Sequence, residues 1–183
     1  VIFPMMAGIL IVNDDFVQFF LGQDFQDARY AIAIMIFRMF FIGWTNIMGI
    51  QILIPHNRNK EFMISTTAPA IISVGLNLLF LPKLGYIGAA IVSVLTEALV
   101  WAIQLFFTLR YLKEVPIIGS MTKIVLASAI MYGILLGSKT VIHFSPTLNV
   151  LVFAVLGGII YLFAILSLKV VDVKELKQII GKK

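Results

Sequence analysis

Long runs of apolar residues, separated by short polar segments, make up most of the chain. Five runs are long enough for a helix to cross a bilayer, which needs about 20 predominantly apolar residues. They cover residues 30–54, 62–81, 86–109, 121–142 and 148–168. A shorter first run, residues 1–12, predicts part of a sixth helix. The pattern therefore predicts an all-α fold, a polytopic transmembrane helix bundle of about six spans.

Short polar segments indicate where the predicted helices end. Turn-forming or charged residues stand at 13–15, 22–24, 55–57, 82–85 and 145–146, where we expect loops. Residues 16–21 predict a turn at the membrane interface. Because the first apolar run is too short to span, we expect the chain to be a piece cut within a helix. That run has no basic start and no small-residue cleavage site, so it does not indicate a secretory signal.

Loops that are rich in basic residues alternate along the chain with loops that are poor in them. One predicted side carries ten of them, namely Arg58, Lys60, Arg110, Lys113, Lys123, Lys169, Lys174, Lys177, Lys182 and Lys183. The other side carries Arg29, Lys83 and Lys139. Cytoplasmic loops of membrane proteins are enriched in Lys and Arg, so the basic side, with the C-terminus, is predicted to be cytoplasmic. Residues 169–183 form either a short amphipathic helix on the inner leaflet or a solvated tail.

Composition favours a membrane protein and excludes several other classes. Hydrophobic residues make up 61% and charged residues 13% of the chain, against about 45–50% and about 25% in ordinary soluble domains. Cytoplasmic loops account for the net charge of +5, so no nucleic-acid partner is indicated. The lack of cysteine excludes disulfides and thiol catalysis. His56 and His143 have no carboxylate at metal-ligand spacing, and no catalytic motif occurs, so we predict no metal, no cofactor and no enzyme.

Glu97 lies at the midpoint of the span 86–109, too deep for its side chain to reach either surface. At about 100° per residue it shares a helix face with Ser93, Trp101 and Gln104. An ionisable group at mid-membrane costs about 2.5–3.5 kcal/mol on insertion scales. Glu97 therefore indicates either a proton, ion or substrate site, or a protonated or hydrogen-bonded carboxyl that joins helices.

Arg38 falls within the span 30–54, about 12 Å below its outer end. It shares a face with Thr45 and Gly49, and Asn46 follows Thr45. Guanidinium binds phosphate oxygens in pairs. Arg38 is therefore predicted either to bind an anionic substrate or to anchor the helix by reaching the interface. An ion pair with Glu97 would neutralise both groups.

Other polar and small residues in the spans fit helix packing at least as well as transport. Asn77 shares a face of the span 62–81 with Thr66 and Ser73, and Pro69 predicts a kink. Close helix packing in the last two spans is indicated by small residues, namely Ala129, Gly133, Gly137, Gly157 and Gly158.

Part of the sequence resembles a known transporter family. The resemblance lies in residues 51–55 (QILIP), 57–60 (NRNK), 77–90 (NLLFLPKLGYIGAA) and 96–97 (TE). These segments resemble the C-terminal half of bacterial Wzx-type oligosaccharide flippases, which belong to the multidrug/oligosaccharidyl-lipid/polysaccharide exporter superfamily. The resemblance covers most of the chain up to Leu112.

This resemblance implies one lobe of a two-lobed transporter, with residues 1–168 as the C-terminal lobe and 169–183 as a cytoplasmic tail. The implied substrate is an undecaprenyl-pyrophosphate-linked oligosaccharide, moved across the bacterial cytoplasmic membrane for cell-surface polysaccharide biosynthesis. The implied partners are the N-terminal lobe, membrane lipids and a coupling H⁺ or Na⁺. A cationic cavity would be lined by Arg38, Thr45, Asn46, Asn77, Ser93, Glu97 and Gln104.

Three other functions stay open at this point. A drug or cation antiporter of the same superfamily would use Glu97 for a proton, Na⁺ or cationic substrate and would not need Arg38. A structural membrane subunit would tolerate neutralisation of both residues. A membrane enzyme acting on lipid-linked sugars would need catalytic residues in a sizeable loop, and every predicted loop is short.

Overall fold

The computed structural model describes residues 2–112, 117–141 and 145–168, and this part of the chain is helical without any strand. Five α-helices follow one another: α1 (Ile2–Phe20), α2 (Ala28–Thr45), α3 (Asn59–Leu112), α4 (Ile117–Val141) and α5 (Pro146–Ser167). A 3₁₀ turn (Gln23–Phe25) precedes α2, and a π-helix (Asn46–Leu53) continues it. Lys113, His143 and the predicted tail 169–183 lie outside the described residues.

All five helices are long and apolar enough to cross a membrane. Their outer surfaces are covered with large apolar side chains, and Leu78, Phe106 and Phe163 are each more than 70% exposed. A water-soluble protein rarely exposes apolar patches of this extent. The predicted all-α class is therefore confirmed for the described residues, and their five long apolar helices are consistent with a multi-pass membrane protein.

The polar segment 13–15 does not form the predicted loop. It lies inside α1, which continues to Phe20, so the predicted interfacial turn at 16–21 is also wrong. Tertiary contacts explain the difference, because Asp15 pairs with Lys139 of α4 and Asn149 of α5. A neutralised and hydrogen-bonded carboxylate costs far less inside a helix bundle than a free one.

The predicted loop at 82–85 is instead a kink within α3. Only Gly85 leaves the helical conformation, with φ 55° and ψ −138°. It divides α3 into an N-terminal segment (59–84) and a C-terminal segment (86–112), and each is long enough to span a bilayer. Pro69 and Pro82 both lie within the N-terminal segment. Gly88 allows the chain after the kink to lie close to the backbone of Phe80, since an added Cβ at Gly88 would be 2.7 Å from the Phe80 carbonyl oxygen.

The predicted turns at 22–24 and 55–57 fall at interruptions between the α-helices. Residues 22–27 contain the 3₁₀ turn, and residues 54–57 form a turn between the π-helix and α3. Ser145 precedes Pro146 at the start of α5, where proline fits because the first helical N–H groups have no intrahelical acceptor.

Helices α1, α4 and α5 form one compact unit. Its apolar core consists of Ile11, Val12, Met131, Leu135 and Phe153. Gly157 allows α5 to approach α4, because a Cβ there would lie 3.2 Å from Cδ1 of Leu135. The predicted close packing is wrong at three other glycines, where an added Cβ meets no described atom within 4 Å: Gly133, Gly137 and Gly158.

Helix α2, the π-helix and α3 form a second compact unit. Met48 and Leu53 of the π-helix and Val92 of α3 are almost completely buried in it. The π-helical turn is visible in the bond from the Ile54 N–H to the Gly49 carbonyl, which spans five residues. Tyr86 donates a hydrogen bond to the Asp27 carbonyl oxygen at 3.4 Å, which joins the start of α2 to the kink of α3.

Candidate substrate and ion site

Arg38 of α2 and Glu97 of α3 form an ion pair within the second unit. Arg38 Nη2 donates to Glu97 Oε1 at 2.9 Å, and Arg38 Nε donates to the same oxygen at 3.3 Å. The Glu97 side chain is 18% exposed and that of Arg38 is 38% exposed. The carboxylate is therefore the enclosed partner, and the guanidinium is the accessible one.

Helix geometry places this pair far from either end of its helices. At about 1.5 Å per residue, Glu97 lies roughly 18 Å from Gly85 and roughly 22 Å from Leu112. Arg38 lies roughly 15 Å from the first residue of α2. A hydrocarbon core is about 30 Å thick. If the C-terminal segment of α3 crosses a bilayer, both charges lie in its middle third.

Aromatic side chains pack one helical turn beyond the pair. The ring centroids of Phe41 and Trp101 are 5.8 Å apart. Phe41 follows Arg38 by three residues, and Trp101 follows Glu97 by four. Among the described residues, the buried Nε1 of Trp101 has no hydrogen-bond partner. The polar face predicted for this helix therefore includes a buried N–H group, that of Trp101.

Gln104 extends the same face and is only 1% exposed. Its Nε2 donates to Ser65 Oγ at 3.3 Å, and Ser65 Oγ donates to the Phe62 carbonyl oxygen at 2.8 Å. No atom of the described residues bonds to its Oε1. Each unsatisfied polar atom is costly in a bilayer. The site thus holds both a buried donor, on Trp101, and a buried acceptor, on Gln104.

Gly49 of the π-helix packs directly against the side chains of Gln104 and Phe62. A Cβ at Gly49 would lie 2.7 Å from Cε2 of Phe62 and 3.0 Å from Nε2 of Gln104. A larger residue at position 49 would force the side chains of Phe62 and Gln104 to move. π-Helical turns are rare, and those that occur are often found at functional sites. The π-helix and the two segments of α3 together therefore define the candidate site.

The other predicted site residues make local contacts. Thr45 Oγ1 donates to the Ile42 carbonyl, and Asn77 Nδ2 donates to the Ser73 carbonyl, both within their own helix. Asn46 is exposed and Ser93 is half-buried. Among the predicted residues, Arg38, Glu97 and Gln104 form the hydrogen bonds to another segment that the described structure shows.

Ser65 belongs to the site but was not predicted. The prediction for this span followed Thr66, Ser73 and Asn77, whereas Ser65 and Pro69 form the buried side. Thr66 instead bonds to the Phe62 carbonyl of its own helix. The spacing of four residues between Ser65 and Pro69 was the available signal, since a helix places such residues on one face.

A second polar cluster lies in the first unit. Lys139 Nζ lies 3.2 Å from Asp15 Oδ2 and donates to the Ile11 carbonyl oxygen. Asn149 Nδ2 donates to Asp15 Oδ1 at 2.9 Å. The cluster joins α1, α4 and α5 through a carboxylate that is 14% exposed. This cluster fits a structural role.

A third polar cluster lies where the π-helix ends. Arg58 bonds to Glu61 through Nε at 2.9 Å and to the Phe107 carbonyl oxygen through Nη1 at 3.3 Å. The hydrogen bond that Arg58 donates to the Glu61 carboxylate raises the pKa of the Arg58 guanidinium above its usual value. The rings of His56 and Tyr111 are 4.3 Å apart. These contacts hold the turn before α3 against its C-terminal end.

Comparison with known proteins returns no relative. No protein-family model, curated protein or solved structure matches the chain.

The arrangement around Glu97 has two chemical capabilities. Arg38 can bind an anion through a guanidinium that is more than one-third exposed. Glu97 can bind a proton or a cation in competition with Arg38, because the guanidinium already neutralises the negative charge of the carboxylate. An anion that binds Arg38 therefore weakens the Arg38–Glu97 ion pair, and so does a proton or cation that binds Glu97.

Proposed function

We propose that this chain is part of a flippase that moves lipid-linked oligosaccharides across a membrane. The Arg38–Glu97 pair carries the proposal, because it is an ion pair placed far inside helices that are apolar on their outer surface. Intramembrane ion pairs of this kind mark substrate and ion pathways. A role in transport also agrees with the buried polar atoms of Trp101 and Gln104 one and two turns further along.

The proposed substrate is an undecaprenyl-pyrophosphate-linked oligosaccharide. Its diphosphate and sugar hydroxyls cannot enter hydrocarbon unaided, since each unpaired polar group costs several kcal/mol. Arg38 would bind the diphosphate, because a guanidinium offers paired N–H donors to phosphate oxygens. Asn46, Asn77 and Ser93 would line the path as neutral polar groups.

The proposed setting is the bacterial cytoplasmic membrane with the C-terminus in the cytoplasm. Six crossings would follow if the two segments of α3 cross separately, and the interruption at Gly85 supports that count. The chain would form one lobe, and a second lobe would close the cavity over Arg38. Side chains at the site would bind and release the substrate without making or breaking covalent bonds.

A cation or drug antiporter is the second candidate. The enclosure of Glu97 favours it, because a carboxylate that is 18% exposed is a suitable site for a proton or Na⁺. The two functions differ in their need for Arg38. A flippase for an anionic headgroup requires the guanidinium, whereas an antiporter requires only the carboxylate.

Reconstitution of the complete transporter tests these alternatives. Liposomes would contain an oligosaccharide-diphosphate lipid with a fluorescent sugar, and an impermeant quencher would report its arrival in the outer leaflet. We expect Arg38→Gln to abolish flipping and Lys83→Gln, an exposed control on α3, to leave it unchanged. Normal flipping by Arg38→Gln would refute the flippase. Loss of ion-driven drug efflux in Glu97→Gln, with no effect of Arg38→Gln, would establish the antiporter, and full activity of both variants would indicate a structural subunit.

A further inference from the structure

The third polar cluster presents basic side chains at one end of the second unit. Its turn is fixed by backbone bonds, in which the Asn57 N–H donates to the Ile54 carbonyl and the Arg58 N–H to the Leu53 carbonyl. Asn57 adopts the left-handed conformation, with φ 58°, which an asparagine tolerates better than most residues. The conformation of the turn is therefore defined by its own backbone hydrogen bonds.

Arg58 connects this turn to the end of α3, and each of its three guanidinium nitrogens already has a protein partner. Its Nε and Nη2 contact Glu61, and its Nη1 donates to the Phe107 carbonyl. Glu61, the acidic residue of this turn, is engaged by the same contact. The charges of Arg58 and Glu61 cancel, and the contact brings residues 58–61 close to residues 107–111.

Two cations remain beside this contact. Lys60 and Arg110 are both exposed, and within the described part of the chain neither forms an ion pair. Arg110 lies near the Tyr111 ring, 5.9 Å from its centroid. Lys60 is two residues from Arg58, and Arg110 is three residues from Phe107, which Arg58 binds. The Arg58 contact therefore places two exposed basic side chains, neither of them in an ion pair among the described residues, at the same end of the unit.

We propose that Lys60 and Arg110 bind the headgroup of an anionic phospholipid. The ends of α3 and the π-helix adjoin exposed apolar residues, among them Ile54 and Leu109, so this surface lies where a bilayer meets water. Basic clusters at that depth attract anionic headgroups, which supply a negatively charged phosphate to both side chains. Tyr111, beside Arg110, suits an interfacial position because its ring is amphipathic. The site is separate from the Arg38–Glu97 pair and does not depend on the proposed transport function.

Native mass spectrometry of the purified protein tests the proposal. The protein would be titrated with phosphatidylglycerol, with phosphatidylcholine and with inorganic phosphate. We expect phosphatidylglycerol to bind more tightly than phosphatidylcholine, and the K60Q/R110Q variant to lose most of that preference. A contribution of about five-fold for each basic residue near a membrane surface predicts a combined loss of roughly 25-fold.

The K83Q/K123Q variant is the matched control, since it removes two exposed lysines elsewhere and changes the net charge equally. It should keep the preference for phosphatidylglycerol, and K60R/R110K, which retains both charges, should keep it in large part. An equal loss in K83Q/K123Q would overturn the proposal, because overall charge would then explain the binding. Binding of inorganic phosphate as tight as that of phosphatidylglycerol would also overturn it, as would an unchanged preference in K60Q/R110Q.

Discussion

Arg38 and Glu97 are 59 residues apart in the sequence, and a single carboxylate oxygen, Oε1 of Glu97, accepts hydrogen bonds from both Nε and Nη2 of Arg38. The pair joins α2 to the C-terminal segment of α3. Each residue alone would be an expensive charge inside a span, and together they are neutral. Neutrality explains how the helices tolerate both, but it also makes each residue dependent on the other.

We expect neutralisation of this pair to reduce transport much more than it reduces the amount of protein in the membrane. Arg38→Ala and Glu97→Gln should each reduce polysaccharide export about tenfold or more, because hydrogen bonds to charged groups contribute about 1.5–3 kcal/mol. Membrane levels should stay near normal. Arg38→Lys should restore export only in part, because an ammonium loses the paired geometry. Export assays and immunoblots of membrane fractions measure the two effects.

The double variant Arg38→Gln with Glu97→Gln separates transport from packing. It removes both charges and leaves no uncompensated one, so it should match the wild-type membrane level while export stays low. Normal export by Glu97→Gln would show that the carboxylate does not couple transport. If both single variants are missing from the membrane and the double variant is present, the pair serves helix packing instead.

Gly49→Ala should destabilise the second unit. The new methyl group would lie 2.7 Å from Cε2 of Phe62, a distance that real Cβ contacts essentially never show, and 3.0 Å from Nε2 of the buried Gln104, so these two side chains must shift. Overpacking of this kind costs about 1–3 kcal/mol. The melting temperature in detergent measures the change. Gly75→Ala is the matched control, since its added Cβ meets no described atom within 4 Å and it should be neutral or stabilising by up to about 1 kcal/mol.

Much of the fold could be predicted from the sequence, because apolar runs of spanning length leave few alternatives to membrane helices. The candidate charges Arg38 and Glu97 were also predictable, since any ionisable residue within such a run needs compensation. Their contact was not, because helix periodicity describes one helix at a time and says nothing about which faces meet. Ser65 was missed because the face chosen for its helix was the one with Thr66, Ser73 and Asn77, and periodicity does not say which face is buried.

Two errors show where local patterns fail. Asp15 is typical of a loop in a membrane protein, and its partners Lys139 and Asn149 come from distant helices that a local pattern does not include. The segment ending in Gly85 is also typical of a loop. Here one glycine absorbs the whole change of direction, so the polypeptide remains helical on both sides.

Gly85→Ala should strain the kink of α3 through the backbone alone. An added Cβ meets no described atom within 4 Å, so sterics with neighbours cannot contribute. The combination of φ 55° and ψ −138° favours glycine, and a non-glycine residue in such a region costs about 1–3 kcal/mol. We expect Gly85→Ala to lower the melting temperature clearly. Gly137→Ala should leave it unchanged, because Gly137 lies in a regular helix and an added Cβ there also meets no described atom within 4 Å. Equal melting temperatures for the two variants would show that the kink is not needed.

The proposed topology predicts which residues are labelled from outside the cell. The chain has no cysteine, so single cysteines can replace exposed residues. We expect Lys83→Cys to react with an impermeant maleimide in intact cells and Lys60→Cys to react only after permeabilisation. Labelling of both positions from the same side would mean that the N-terminal segment of α3 does not cross the membrane. Labelling of position 60 alone from outside would reverse the orientation.

Asp15 and Lys139 should show strong thermodynamic coupling in the first unit. Lys139→Met leaves the enclosed Asp15 carboxylate with its Asn149 bond but without a counter-charge, and Asp15→Asn leaves the ammonium with only the Ile11 carbonyl. Uncompensated charges at such sites are destabilising, whereas removal of both partners is often nearly neutral. We therefore expect each single variant to lower the melting temperature more than the double variant does. Ser138→Ala, whose hydroxyl bonds only to the Ile134 carbonyl of its own helix in the described structure, is the neighbouring control and should change little. Additive effects of the two substitutions would show that the 3.2 Å contact contributes nothing to stability, and the cluster would then lose its role in joining α1 to α4.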